Sequence, residues 1–207
     1  LFPREGETQP RLRFPEFQYA GEWVEEPLGK VATYENGKAH ENDILEVGQY
    51  IVVNSKFIST EGAVRKYSDL AFCPAGAGNI LMVLSDVPNG RAIAKCFFVD
   101  RDETYTVNQR ICKIVPNQAN SRFLFYVLDR NSYFLAFDDG VKQTNLRKDD
   151  VLNCPLCLPS SLAEQQRIAS CLSSLDALIT AETQKLEALK RHKRGLMQQL
   201  FPSPGGC

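Results

Sequence analysis

The stretch SLAEQQRIASCLSSLDALITAETQKLEALKRHKRGLMQQL, residues 161–200, predicts one long α-helix and decides the fold. Ser161 and Glu164 have the spacing of a capping box, in which the Ser161 hydroxyl accepts from the Glu164 N–H and the Glu164 carboxylate reaches back to the Ser161 N–H. No proline occurs until Pro202, where the helix is expected to stop. At 1.5 Å per residue the helix would be roughly 60 Å long.

Aliphatic residues recur along this helix at alternating spacings of three and four. Such a narrow stripe is typical of a coiled-coil seam, so it predicts a partner helix. The alternative is a terminal helix that folds back on its own domain, although a helix of this length would overhang a small body. The residues predicted to pair are Ile168, Leu172, Leu175, Ile179, Leu186, Leu189, Leu196 and Leu200.

Composition sets limits on the class of protein. The 207 residues carry 24 Lys plus Arg against 25 Asp plus Glu, and no apolar run approaches the roughly 18 residues that a membrane span requires. We therefore expect a cytoplasmic protein with no membrane association. Seven cysteines lie mostly in apolar segments, which indicates reduced, buried thiols. The CxxC at Cys154 and Cys157 lacks a second ligand pair, so we expect no metal.

Residues 23–159 predict a mixed, mostly β domain. Short runs rich in β-branched and aromatic residues alternate with turn residues, and a helix is expected at 120–128. A second short helix is expected at 133–137. The predicted strands cover 49–53, 69–73, 80–84, 93–99, 105–107, 111–115 and 151–158. The fold class is therefore α+β, with a domain over residues 1–159 followed by a long coiled-coil helix in residues 160–207.

Catalytic patterns are weak in this sequence. There is no GxxxxGK[ST] motif, and Gly76-Ala77-Gly78 lacks the third glycine of a dinucleotide loop. Only His40 and His192 occur, neither in a metal-ligand spacing, and we expect both to be solvated. No cofactor is expected.

Polar loops suggest recognition instead. Asn, Gln, Arg and Lys side chains read base edges in the major groove, and they cluster at 54–56, 65–67, 108–110 and 142–148. Loops are polar in most proteins, so the pattern by itself indicates a binding domain and no more. The residues predicted to face DNA are Asn54, Lys56, Arg65, Lys66, Lys142, Gln143, Thr144 and Asn145.

The C-terminal text resembles the conserved-region helix of type I restriction–modification specificity (S) subunits. The resemblance lies in Pro159–Ala169, in Leu175-Asp176 and in Lys193–Phe201. The opening Leu1-Phe2-Pro3 with Pro10–Phe17 is similar to the start of a target recognition domain in those subunits, and Gly140–Leu146 is similar to its closing segment. The middle of the chain carries little of the likeness.

The resemblance implies a subunit without catalytic residues. Its target recognition domain would bind one half of a split site in double-stranded DNA, and its helix would act as a spacer that also holds methyltransferase (M) subunits. Restriction (R) subunits would join for cleavage. The usual subunit has two recognition domains and two helices, whereas this chain has one of each.

Two arrangements would complete the missing half. The helix could pair two copies of this chain in a homodimer, or the chain could be the second half of a longer S subunit. A different class of function also stays open, a coiled-coil adaptor whose β domain binds protein, and the near-neutral charge favours it slightly. Strong salt dependence of DNA binding would argue against the adaptor.

Overall fold

The computed structural model describes Phe2 and residues 7–200. The helices are α1 (Leu28–Val31), α2 (Ser55–Ser59), α3 (Ser121–Leu128), α4 (Ser132–Leu135), α5 (Lys148–Leu152) and α6 (Leu162–Leu200). The strands are β1 (Val24–Pro27), β2 (Ala32–Asn36), β3 (Tyr50–Val53), β4 (Tyr67–Ser68), β5 (Pro74–Ala75), β6 (Ile80–Val83), β7 (Ser85–Asp86), β8 (Cys96–Phe98), β9 (Tyr105–Val107), β10 (Ile111–Pro116), β11 (Thr144–Asn145) and β12 (Pro155–Leu158). Short 3-10 turns cover Pro15–Phe17 and Glu41–Asp43.

Two four-stranded sheets form the centre of the domain. One has the order β2-β10-β6-β8 and is antiparallel throughout, and the other has the order β4-β3-β9-β5 with β3 and β9 parallel. Every residue of β6 is buried, as expected for an apolar strand covered on both faces. Side chains from both sheets, among them Leu81, Val53 and Tyr105, share one hydrophobic core with Phe57 of α2.

A third pairing joins the two ends of the domain. Strand β1 runs antiparallel to β12, with Val24 opposite Leu158 and Pro27 opposite Pro155. The polypeptide therefore enters and leaves the domain side by side, immediately before α6 begins.

Helix α6 is confirmed at the predicted position. Ser161 Oγ accepts from the Glu164 N–H at 3.4 Å, as expected of an N-cap. The other half of the predicted capping box was wrong. The Glu164 carboxylate instead accepts from Nε and Nη2 of Arg13, both at 2.7 Å, and from Trp23 Nε1 at 3.4 Å. A buried bidentate arginine is a stronger partner for a carboxylate than a backbone N–H.

The chain divides into two units between Gln166 and Arg167. The first, called the body below, contains all the strands and the first turn of α6, and the second, called the arm, contains the rest of α6. Along the arm, Leu175, Ile179, Leu186, Leu189, Leu196 and Leu200 are 43–69% exposed. Leu172 is half-buried, and Ile168 is 2% exposed. The predicted domain boundary at residues 159 and 160 stays a prediction, as does the stop at Pro202, which lies outside the described residues.

The mixed sheets and the long helix confirm the α+β class, but some predicted elements were wrong. Residues 69–73 form no strand, and both Leu70 and Phe72 are partly exposed there. The predicted strand 151–158 is divided into the end of α5 and β12, because Asp150 caps α5 by accepting from the Arg147 N–H at 2.7 Å. Strands β1 and β2 and helix α2 were not predicted.

The prediction of a solvated His40 was wrong, whereas the prediction of buried thiols is confirmed. His40 is fully buried, not solvated: its ring nitrogens contact Lys38 O at 2.7 Å and Thr106 Oγ1 at 3.0 Å. The predicted reduced thiols are confirmed, since Cys73, Cys96, Cys112 and Cys154 are free and buried. Burial raises the pKa of Cys154 to about 12.

Within residues 7–200 no helix is long and apolar enough to cross a bilayer.

Candidate nucleic-acid interface

The polar loops predicted from the sequence are joined by hydrogen bonds. The loops at 108–110 and 142–146 share one partner, the segment 84–95, called the central connection below, which follows β6 and leads into β8. Leu84 donates its N–H to Arg110 O at 3.0 Å, and Leu84 O accepts from the Leu146 N–H at 2.8 Å. The loops at 108–110 and 142–146 therefore lie on either side of residue 84.

Side chains strengthen the contact between the central connection and the 142–145 loop. Ser85 Oγ donates to Asn145 Oδ1 at 2.8 Å, and Gln143 Nε2 donates to Ser85 Oγ at 2.7 Å. Farther along, Asn89 Nδ2 donates to Gly140 O at 3.1 Å. These bonds fix the polar loop that the sequence predicted as DNA-facing.

A carboxylate organises each of the two facing turns. Asp86 accepts from the N–H groups of Ala92 and Ile93 at 2.6 and 3.1 Å, and Gly90 lies so close that a Cβ there would meet this carboxylate. In the other turn, the N–H groups of Lys142 and Val141 donate to Asp139 and hold the pKa of its carboxyl below the usual range. Both turns are thus closed by local hydrogen bonds rather than by packing.

The 54–56 and 108–110 loops line one cleft of about 300 Å³. The Asn108 N–H donates to Val53 O at 3.0 Å, which places Asn108 beside the start of α2. Gly37 supports this loop, since a Cβ at that position would collide with the Asn108 carbonyl group. The lining residues are Glu41, Asn54, Ser55, Lys56, Asn108, Gln109 and Arg110.

Fixed amides are a feature of this cleft. Asn54 caps α2, and its Oδ1 accepts from the Phe57 N–H at 2.9 Å. Asn108 Oδ1 accepts from the Gln109 N–H at 2.9 Å, and Gln109 Nε2 donates to Glu41 Oε1 at 2.6 Å. Each amide therefore has one end held by the protein and the other directed to a different partner or to solvent.

The remaining predicted residues occupy mixed positions. Arg65 is exposed and donates to Gly62 O at 2.9 Å, in a turn that is joined to the central connection by the Lys95–Glu61 ion pair at 3.2 Å. Lys66 is exposed beside β3, where its carbonyl accepts from the Val52 N–H.

Within the 142–145 loop the four predicted residues differ in exposure. Lys142, Gln143 and Asn145 are exposed, but Thr144 is 5% exposed. Thr144 Oγ1 is buried without a hydrogen-bond partner among the residues that the structure describes. Its position facing inward from β11 makes Thr144 the least suited of the eight to face a ligand.

Several residues of this surface were not predicted. Glu41 and Ser85 gave no sequence signal, since an isolated Glu or Ser in a turn is common. Asn108, Gln109 and Arg110 were noted as a polar loop but were not among the predicted DNA-facing residues, and Arg91 is an exposed cation in the central connection. No cluster of His, Cys, Asp and Glu within the described ranges has the geometry to hold a metal ion.

Comparison with known proteins gives one family match over most of the chain. A family model described as the type I restriction modification DNA specificity domain matches residues 20–191. Among curated proteins, the type I restriction enzyme MjaVIII specificity subunit of Methanocaldococcus jannaschii is 27% identical over 146 residues, which are 68% of this chain and 33% of that protein.

Solved structures with the same fold include two specificity subunits. The match to the M. genitalium subunit has a TM-score of 0.63 at 17% identity and covers 86% of this chain and 46% of that subunit. The match to the Thermoanaerobacter tengcongensis subunit has a TM-score of 0.59 at 18% identity and covers 98% of this chain and 48% of that subunit. A structure described as addressing complex assembly and conformational transition of the type I R-M system has a TM-score of 0.63 at 18% identity, and the match covers 96% of this chain and 49% of that one. This chain thus spans about a third of the curated relative and about half of each solved one.

Proposed function

This chain belongs to the family of type I restriction–modification DNA specificity domains, and we propose that it reads one half of a bipartite DNA target for a type I complex. The proposal that the body binds DNA rests on one observation, which is that the polar loops at 108–110 and 142–146 meet at the central connection. There, Ser85 holds Gln143 and Asn145 by short hydrogen bonds, and in the adjoining cleft Glu41 holds Gln109 in the same way. Such a fixed polar surface suits the recognition of base edges, which requires donors and acceptors at set positions.

Positioning and reading would be done by different residues. Lys56, Arg65 and Lys142 are exposed cations that suit phosphate contacts, which fix the orientation of a protein on the duplex without reading sequence. The cleft residues other than Lys56, together with exposed Gln143 and Asn145, suit the base edges. In this proposal residues 1–159 form the target recognition domain.

The arm is proposed to pair with a second helix of the same kind. Six aliphatic side chains at coiled-coil spacing are 43–69% exposed along the arm, and such a stripe is stabilised when a partner covers it. The partner would be a second copy of this chain or the other half of a longer specificity subunit. Two identical copies would impose a two-fold symmetric split site, whereas two different halves would not. The length of α6 would set the spacing between the half-sites.

Other subunits would supply the chemistry. We propose that the methyltransferase subunits bind along residues 160–207, that restriction subunits join them, and that this chain contributes no catalytic residue and no cofactor. It would act in the cytoplasm, together with the DNA that it reads.

The test is co-expression of this chain with a type I methyltransferase subunit, followed by mapping of methylated adenines in the host DNA. We expect a split motif that is methylated only when this chain is present, and its symmetry would distinguish the two arrangements of the arm. DNA binding by the complex should weaken steeply with salt, because phosphate contacts release counterions. No co-purification and an unchanged pattern of methylation would argue against the proposal.

A further inference from the structure

The side-chain amides of the candidate interface are restricted in how they could read adenine, the base that asparagine and glutamine usually read in the major groove. Bidentate reading of adenine needs the amide NH₂ to donate to N7 while the amide oxygen accepts from N6. Asn54 and Asn108 each have their oxygen engaged by a backbone N–H, and Gln109 has its NH₂ engaged by Glu41. Each of the three therefore has one of its two lone pairs or one of its two N–H donors already in use, and that bond restricts how the amide can turn toward a base.

The same restriction applies to the 142–145 loop. Asn145 Oδ1 accepts from Ser85 Oγ and from Gln143 Nε2, and Asn145 Nδ2 donates to Gln143 O. Gln143 Nε2 is engaged by the same contacts. Bidentate readout of adenine by Asn145 or Gln143 would therefore require one of these bonds to break, because both lone pairs of Asn145 Oδ1 and both N–H donors of Gln143 Nε2 are in use.

Arg110 brings an unengaged bidentate donor to the cleft. It is exposed, it lines the cleft, and its guanidinium has no partner among the described residues. A guanidinium presents its donors in a fixed fork, and the two adjacent acceptors that match the fork on a DNA base edge are O6 and N7 of guanine.

Glu41 gives this cleft an acceptor that can bind a donor on a base edge, whereas a phosphate offers no such donor. Its carboxylate lies in the same cleft and is held by Gln109, and a negative group there repels phosphate oxygens. On the major-groove edge of DNA, the amino group of cytosine N4 is a donor that a carboxylate accepts. One arginine and one carboxylate in one cleft thus match the two members of a single base pair.

We propose that this cleft reads one G·C base pair, with Arg110 donating to O6 and N7 of guanine and Glu41 accepting from N4 of cytosine. Gln109 is a positioning residue, which holds the carboxylate without contacting the base pair itself. The inference rests on the proposed DNA-specificity function and adds the identity of one base pair to it.

The experiment uses the chain in complex with its methyltransferase subunit, on duplexes that carry the motif found by methylation mapping. Each guanine is replaced in turn by 7-deazaguanine, which lacks the N7 acceptor. We expect one position in the half-site at which this replacement weakens wild-type binding roughly tenfold, within the range that one base contact supplies. The Arg110→Ala complex should lose at most about twofold at that position and should keep its response at the others.

Two further variants separate the roles within the cleft. Replacing the paired cytosine by N4-methylcytosine should weaken the wild-type complex, and Glu41→Gln or Gln109→Ala should reduce that effect while the 7-deazaguanine effect persists. The matched control is Lys142→Ala, an exposed cation outside the cleft, which should weaken binding to all duplexes alike. Arg110 is exposed, so its variant should fold, and an unchanged thermal unfolding curve verifies this.

The outcomes distinguish the two proposals. A motif in which no guanine depends on N7, or an Arg110→Ala complex that weakens equally on every duplex, overturns the G·C assignment and leaves the specificity function in place. If wild-type complex gives no methylated motif at all, the proposed function fails and this inference fails with it.

Discussion

The ion pair between Arg13 and Glu164 should be the most sensitive electrostatic contact in the body. Arg13 Nε and Nη2 donate to the two carboxylate oxygens at 2.7 Å, and the side chains are 10% and 1% exposed. Arg13 also donates to Ala20 O and Gly21 O. The contact joins residues 151 positions apart and connects the N-terminal segment to the first turn of α6.

Arg13→Met removes the cation and leaves a buried carboxylate with only the 3.4 Å contact from Trp23. Removal of one partner from a buried pair costs about 3–5 kcal/mol, because the remaining charge is uncompensated. The double variant Arg13→Met with Glu164→Met removes that charge as well and should recover part of the loss. The free energy of unfolding would be measured in urea by the fluorescence of Trp23, the one tryptophan of the chain, which lies beside Glu164.

The exposed Lys30–Glu26 pair provides the matched control. It joins Nζ and Oε1 at 3.1 Å with side chains 64% and 30% exposed, so Lys30→Met should cost less than about 1 kcal/mol. The hydrogen bond to Glu164 raises the pKa of Arg13, so the stabilisation from the arginine is complete below its unfolded-state pKa and is lost only as pH rises through the raised pKa of the folded state. Equal losses from Arg13→Met and Lys30→Met would refute the reasoning, as would a double variant no more stable than the single one.

Two further predictions concern the arm and the thiols. Leu186→Lys should abolish helix pairing without changing the fluorescence of Trp23, whereas the nearby change Gln184→Lys, at a polar position, should preserve pairing. Sedimentation would measure pairing, and an unchanged sedimenting mass for both variants would contradict the proposed seam. Alkylation of Cys154 should stay slow at pH 8 and accelerate as pH rises toward its pKa of about 12, whereas half-buried Cys171 should react before Cys154. Peptide mass spectrometry would measure both alkylation rates, and equal rates at pH 8 would contradict the argument from burial.

The long helix could be predicted from the sequence because its signals are local. A serine cap, an unbroken run of helix-forming residues and a three-four apolar spacing lie within one stretch, and α6 begins where they indicate and continues to Leu200, the last residue that the structure describes. The second half of the capping box failed for the opposite reason. Glu164 is engaged by Arg13 and Trp23, which lie far away in sequence, and local spacing cannot predict such partners.

The candidate site shows the same division between local and distant information. The sequence identified polar loops, and the structure joins two of them, 108–110 and 142–146, through residues 84–95. The sequence could not predict that Asn54 is a helix cap or that Gln109 is held by Glu41, 68 positions away. These contacts decide which side-chain atoms remain available to a ligand. Residues 69–73 were assigned to a strand because apolar runs favour strands, but Leu70 and Phe72 are partly exposed and pair with no neighbouring strand.

The pairing of β1 with β12 has a consequence for the order of folding. Val24 cannot find Leu158 until roughly 130 intervening residues have been ordered, and contacts of such separation form late because loop closure is slow. During synthesis, β1 would wait without its partner until the ribosome has released β12. The two four-stranded sheets require no residue beyond Pro116 and can form earlier. Premature termination after Pro116 but before β12 would therefore leave those sheets assembled with an unpaired N-terminal strand, a form open to association with other chains and to proteolysis.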